Sequence, residues 1–290
     1  MNKKFYHIYI GIMAIIMAAC QNEGILPLED ELGSVSYTIK LEDNIQGRAL
    51  SIGNGDYVDQ LVVGVFQTQD YTPTQISQFT YPVVNGMAMI NIPLLKKETY
   101  DLVFWAQTED NDVYNIEDLN SITVDYSTFK KKQTESITLD AFYAVQKNVS
   151  VAAPGDASIP LCRPFAQVSF GVYGNQEDVD RIKAAEIKIS GLYTKFCPLN
   201  ETVEEMASEP YVFRFTELMD KGNTFSINDK VFTHLTTNYF LAPIQDADYK
   251  ISGSGKFMDE NDAIVSEFTF ADAPLLPNER VNVGKIMDVD

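Results

Sequence analysis

Residues 34–42, Ser-Val-Ser-Tyr-Thr-Ile-Lys-Leu-Glu, alternate polar and apolar side chains without a break. A strand places successive side chains on opposite faces, so this segment predicts a strand with Val35, Tyr37, Ile39 and Leu41 toward a core and Ser36, Thr38 and Lys40 outward. Short strand-like runs recur along the chain at 59–66, 99–107, 165–172, 186–193, 211–215, 239–242, 249–253, 267–270 and 280–284. Two further runs flank Asn85-Gly86, a favoured hairpin turn. Leu102 to Ala106 is apolar on both faces, which predicts a central strand. With 15 Tyr and 17 Phe beside plentiful Val, Ile and Thr, composition also leans to β. Many short strands with turn signals predict an all-β fold of sandwiches with few short helices. The best helix candidate is Gln176 to Ala185, with Val179 and Ile182 at helical spacing. Thr72-Pro73-Thr74 is expected to be loop, Phe129 to Lys132 solvated, and Gly253-Ser254-Gly255-Lys256 a hairpin turn.

The N-terminus carries a different device. Lys3 and Lys4 precede an apolar run from Ile8 to Ala19 that stops at Cys20. A membrane span needs roughly 20 apolar residues, so this shorter run predicts a secretory signal instead. Met17-Ala18-Ala19-Cys20 resembles a bacterial lipobox with Met in the place usually held by Leu. That resemblance implies cleavage before Cys20 and acylation of Cys20, with several acyl chains holding the protein on a membrane. Glu23, Glu29, Asp30 and Glu31 resemble the acidic signals that route lipoproteins to the cell surface in Bacteroidetes.

Removing residues 1–19 leaves 271 of 290 residues, with 41 acids against 20 bases (22 less Lys3 and Lys4), a net charge of −21. Nucleic-acid binding is driven by Lys/Arg neutralisation of phosphates, so such a partner is not expected. His234 is then the one histidine left, in a strand-like run, and no catalytic residues are expected. Neither a Walker A loop nor a dinucleotide fingerprint is present, and no cofactor is expected. Glu109-Asp110-Asn111-Asp112 and Asp259-Glu260-Asn261-Asp262 lack the spacing of an EF-hand loop and read as hairpin tips, so no metal site is assigned. Cys162 and Cys197 either form a disulfide in an exported protein or remain two buried thiols.

Seven short motifs carry a resemblance across nearly the whole mature chain. They are Gly47-Arg48-Ala49, Leu102 to Gln107, Asp140-Ala141-Phe142-Tyr143-Ala144, Leu161 to Val168, Ile189 to Thr194, Tyr239-Phe240-Leu241-Ala242-Pro243 and Pro277-Asn278-Glu279-Arg280. In this order they resemble the fimbrillin-like lipoproteins of Bacteroidetes, subunits and anchors of type V pili. The resemblance implies two transthyretin-like β-sandwich domains, at 49–155 and 156–290, preceded by a signal peptide at 1–19 and a tether with a removable first strand at 20–48. It implies cleavage between Arg48 and Ala49 by an Arg-directed protease. Loss of the strand carrying Val35, Tyr37, Ile39 and Leu41 then opens a groove for a strand from another fimbrial subunit, by donor-strand exchange. The expected location is the outer membrane or cell surface through the lipid on Cys20, or the fimbrium after processing, with a host or glycan ligand as a further partner. Only seven residues follow Val283, which suggests a terminal or accessory subunit that accepts a strand more readily than it donates one. The alternative is a glycan-binding surface lipoprotein, with exposed Tyr71, Tyr114 or Tyr126 stacking on sugars.

Overall fold

In the structure, a computed structural model, the described residues are 31–41, 55–69, 71–129, 139–244, 246 and 248–287. Cys20, Arg48 and Ala49 lie outside them. The first half comprises β1 (Leu32–Leu41), β2 (Gln60–Gln69), β3 (Thr72–Pro82), β4 (Met87–Leu95), β5 (Tyr100–Gln107), β6 (Tyr114–Asn115), β7 (Ile122–Val124), β8 (Phe142–Val149) and β9 (Ser158–Leu161). It continues with β10 (Phe165–Tyr173), the helix α1 (Gln176–Arg181), β11 (Ala184–Ser190), β12 (Tyr193–Cys197), β13 (Thr202–Met206) and β14 (Tyr211–Phe215). The last strands are β15 (Thr224–Ile227), β16 (Lys230–Leu241), β17 (Lys250–Met258), β18 (Ile264–Pro274) and β19 (Arg280–Ile286). The fold is all-β, with the strands distributed over stacked sheets.

Two sheets, ordered β4-β1-β9 and β3-β2-β5-β8, enclose one core. Val35, Tyr37, Ile39, Ile90, Ile92 and Ile159 from the first meet Leu61, Val63, Leu102, Phe104 and Phe142 from the second. The other face of β2 and β5 is buried too. Val62, Val103 and Trp105 belong to a larger core shared with Phe165, Phe170, Ile187 and Phe240. This double burial is why Leu102 to Ala106 carries no polar face. Sheets β15-β16-β10-β19 and β14-β11-β17-β18 enclose the larger core, where the Phe170 ring lies 5.5 Å from that of Phe270. A fifth sheet, β13-β12-β7-β6, joins strands from before and after residue 155 through the pairing of β7 with β12.

Several sequence expectations are corrected. Thr72-Pro73-Thr74 is not loop but the start of β3, where proline is tolerated because β3 is an edge strand. Gly253 to Lys256 is not a turn but the middle of β17. Gly253 and Gly255 stand opposite Phe270 and Phe268 of β18. A Cβ on Gly253 would sit 2.2 Å from the Lys188 carbonyl oxygen and 2.8 Å from the Phe270 ring, so the glycines make room for phenylalanines on the neighbouring strand. The helix is shorter than expected. Asn175 caps it, accepting from the Asp178 N–H at 2.9 Å, but Ala184 and Ala185 leave for β11, where pairing with β17 overrides helical spacing. Phe129 is not solvated, its ring lying 5.2 Å from Tyr126 and 5.3 Å from Phe213, while Lys130 to Lys132 lie outside the described residues. The Asn85-Gly86 turn forms with both residues at positive φ, as expected, yet it links β3 and β4 in different sheets, held by the single bridge of Val84 and Met87.

Candidate functional site

The β1 strand is the middle strand of its sheet. Leu32 to Lys40 pair antiparallel with β4, and Thr38 to Leu41 pair parallel with β9. Its core face is Gly33, Val35, Tyr37, Ile39 and Leu41. Val35, Tyr37 and Ile39 are 2%, 3% and 1% exposed, and Leu41 is half-buried against the same core. At about 1.5–3 kcal/mol for each large apolar side chain, the three fully buried residues contribute roughly 5–9 kcal/mol of burial.

One wall of the strand's place comes from the segment between β8 and β9. There the Pro154 carbonyl accepts from the Tyr37 hydroxyl at 2.5 Å, and the Ala157 carbonyl accepts from the Thr38 N–H at 2.8 Å. Val151 stands over Gly33 so closely that a Cβ on Gly33 would lie 2.6 Å from Val151 Cγ1. The floor under Tyr37 is Phe104, edge to face at 5.7 Å. Burial pushes the Tyr37 hydroxyl up to about 12, so it remains a neutral donor. Beyond one end of β1, the Lys96 N–H donates to the Glu31 carbonyl; at the other end, the Leu41 N–H donates to that of Gly86.

The chain that leaves β1 returns to the same spot. Gly55, at φ +76, has an ideal Cβ position 3.3 Å from Leu41 Cδ1, so the two residues that flank 42–54 are in contact range. The Gly55 N–H also bonds to the Asp140 carboxylate. Asp140 is buried and holds Arg163 by two bonds, Nε to Oδ1 at 2.7 Å and Nη2 to Oδ2 at 2.8 Å. The Arg163 guanidinium stacks 4.2 Å over Phe142, and its Nη1 donates to Asn278 Oδ1 at 3.4 Å. Burial raises the Asp140 carboxyl, while Arg163 and the amides of Gly55 and Ala141 pull it back. Arg280 Nε donates to Gln167 at 2.8 Å beside this pair. Thus the Asp140, Arg163 and Asn278-Arg280 motifs, far apart in sequence, meet in space.

Other expected site residues are placed elsewhere. Cys162 and Cys197 form no disulfide, which corrects the bridge. Cys162 Sγ instead lies 3.8 Å from the Tyr143 carbonyl oxygen, and burial pushes the Cys197 thiol up to about 11, away from reactivity. Tyr114 and Tyr126 are not exposed platforms but 5% and 2% exposed. Their hydroxyls donate to the carbonyls of Leu139 and Tyr193, which offsets the cost of burying those polar groups in the core. Tyr71 is fully exposed at the β2–β3 turn. His234 is 1% exposed, its Nε2 3.0 Å from the Thr236 carbonyl oxygen, and burial lowers it to about 4.

Both acidic clusters form turns. Asp259 Oδ1 accepts from the N–H groups of Asn261 and Ala263, and Asp59 accepts from Glu109 N–H. Among the described residues no group of three or more His, Cys, Asp or Glu side chains is arranged to hold a metal ion. The sequence reading missed Gly33 and the wall residues Val151, Pro154 and Ala157. A glycine in phase with the apolar face of a strict alternation is the signal for such a close approach.

Among curated proteins, none matches the chain by sequence. Three solved structures of low identity resemble it. One is a Bacteroides uniformis protein named for cell adhesion, at 10% identity and TM-score 0.47, covering 88% of this chain and 93% of that one. Another is the tip fimbrial protein Mfa3 from Porphyromonas gingivalis, at 10% identity and TM-score 0.40, covering 83% and 81%. The third is a fimbrial assembly protein from Parabacteroides distasonis, at 12% identity and TM-score 0.41, covering 88% and 92%. By sequence, a family model described as a family of unknown function (DUF6562) matches residues 29–287, and the chain belongs to that family.

Proposed function

We propose that this protein is a cell-surface lipoprotein, anchored in the outer membrane through Cys20, and an adhesive fimbrial subunit in which β1 is the replaceable strand. The observation that carries the reading is the position of β1. It is hydrogen-bonded on both sides, buries Val35, Tyr37 and Ile39, and joins the rest of the chain only through 42–54, whose flanking residues Leu41 and Gly55 adjoin. A cut between Arg48 and Ala49 in that segment leaves β1 held by non-covalent contacts alone. Its departure exposes unpaired backbone on β4 and β9 over an apolar floor including Phe104, a site that a strand from another fimbrial subunit fills by β-augmentation. In this reading residues 49–155 and 156–290 are two units that assemble around the cut, and the protein acts through contacts rather than catalysis.

The test treats purified mature chain with an Arg-specific protease and follows mass and oligomeric state. The expected result is a new N-terminus at Ala49, followed by uptake of a partner subunit's strand. Protection of Arg48, or a cut chain that keeps β1 and takes up no strand at any partner concentration, refutes the reading. The mass of the native N-terminus, acylated Cys20 or not, tests the anchor separately.

A further inference from the structure

Resting on the reading of β1 as replaceable, we propose that the segment 150–157 selects which strand can take its place. It admits only a strand with glycine under Val151 and, four residues on, tyrosine between Phe104 and the Pro154 carbonyl. The geometry is restrictive at both positions. At Gly33 a Cβ would meet Val151 Cγ1 at 2.6 Å, Val151 Cγ2 at 2.8 Å and Lys96 Cγ at 3.2 Å, distances at which atoms must move. Gly33 is not at positive φ, so space rather than backbone conformation demands glycine there. At Tyr37 the pocket wants both a ring and a hydroxyl, because Phe104 supplies the ring's edge contact and Pro154 the acceptor. A phenylalanine would keep the ring contact but lose the half-buried hydrogen bond to that carbonyl.

The intervening positions take aliphatic side chains such as Val35 and Ile39. The selected strand therefore reads glycine, aliphatic, tyrosine, aliphatic at alternate positions, and runs antiparallel to β4 and parallel to β9. Within these 290 residues only Gly33-Ser34-Val35-Ser36-Tyr37-Thr38-Ile39 has a glycine followed alternately by an aliphatic, an aromatic and an aliphatic residue. A second copy uses that segment to fill its own site and has no further matching strand. The occupant is therefore a strand of a different polypeptide carrying this pattern.

The experiment cuts the mature chain at Arg48 and measures displacement of a fluorescently labelled β1 by synthetic peptides spanning residues 31–42. The parent peptide is expected to exchange in. The Gly33→Ala peptide is expected to bind roughly tenfold more weakly, the order of penalty for overfilling a packed site. The Tyr37→Phe peptide is expected to lose about fivefold, the order of one net hydrogen bond. In a chain carrying Val151→Ala, checked by its binding of the parent peptide, the Gly33→Ala peptide should recover while the Tyr37→Phe peptide should not. If the parent peptide itself never enters, strand replacement fails and the selection falls with it. If the parent enters and Gly33→Ala enters equally well, or Val151→Ala brings no recovery, the selection is refuted while strand replacement stands.

Discussion

Replacing Arg163 with methionine tests whether the buried ion pair, rather than apolar packing alone, fastens the motif cluster. The Arg163 and Asp140 side chains are 1% and 2% exposed and joined by bonds of 2.7 and 2.8 Å. Methionine fills much of the volume over Phe142 but leaves the Asp140 carboxylate, among the described residues, with the amides of Gly55 and Ala141 and no cation. An uncompensated buried charge costs about 3–5 kcal/mol, a large part of a typical domain stability of roughly 5–15 kcal/mol. The double variant Arg163→Met with Asp140→Leu removes both charges, and should recover most of the loss. Urea denaturation at pH 7 reads this through Trp105, the single tryptophan, whose ring is fully buried 6.2 Å from that of Phe165. A shift under about 1 kcal/mol for Arg163→Met would refute the reasoning, as would a double variant as unstable as the two single losses summed.

Three other outcomes follow from the same contacts. Burial holds His234 neutral to about pH 4, so the unfolded chain takes up a proton below its ordinary 6.5 that the fold excludes. Stability is thus complete above pH 6.5 and falls by about 3 kcal/mol as pH drops to 4, and His234→Gln should flatten that part of a stability-versus-pH curve. Gly253→Val drives a branched side chain into the Lys188 carbonyl and the Phe270 ring, and should cost more than about 2 kcal/mol in thermal or urea unfolding. Tyr126→Phe removes the hydroxyl that donates to Tyr193 O and accepts from Leu241 N–H, with an expected loss of about 1–3 kcal/mol on the same urea assay.

Where local pattern and tertiary environment agree, the sequence was legible. The alternation of 34–42 located β1 and its core face, and the unbroken apolar run at 102–106 marked a strand buried on both sides. Tyr211 to Phe215 was legible for the same reason. Misreadings cluster where a distant neighbour changes what a residue means. Gly253 and Gly255 look like a turn until Phe270 and Phe268 are placed beside them, and Pro73 looks like loop until its strand proves to be an edge. Tyr114 and Tyr126 looked available to a sugar because nothing local shows that their hydroxyls meet the carbonyls of Leu139 and Tyr193.

By itself, then, the sequence determined the class of structure, because the two-residue period of a strand is a property of neighbouring residues. It also determined the one charge-rich, histidine-poor composition and the presence of Cys20 and Arg48 on either side of a strand. Only the tertiary structure decided that this strand is the middle one of its sheet, that its Leu41 end lies beside Gly55, and that Val151 and Pro154 guard its place. Pairing partners and close approaches join residues as far apart as Thr38 and Ser158, or Tyr37 and Pro154, and no local period encodes such a distance.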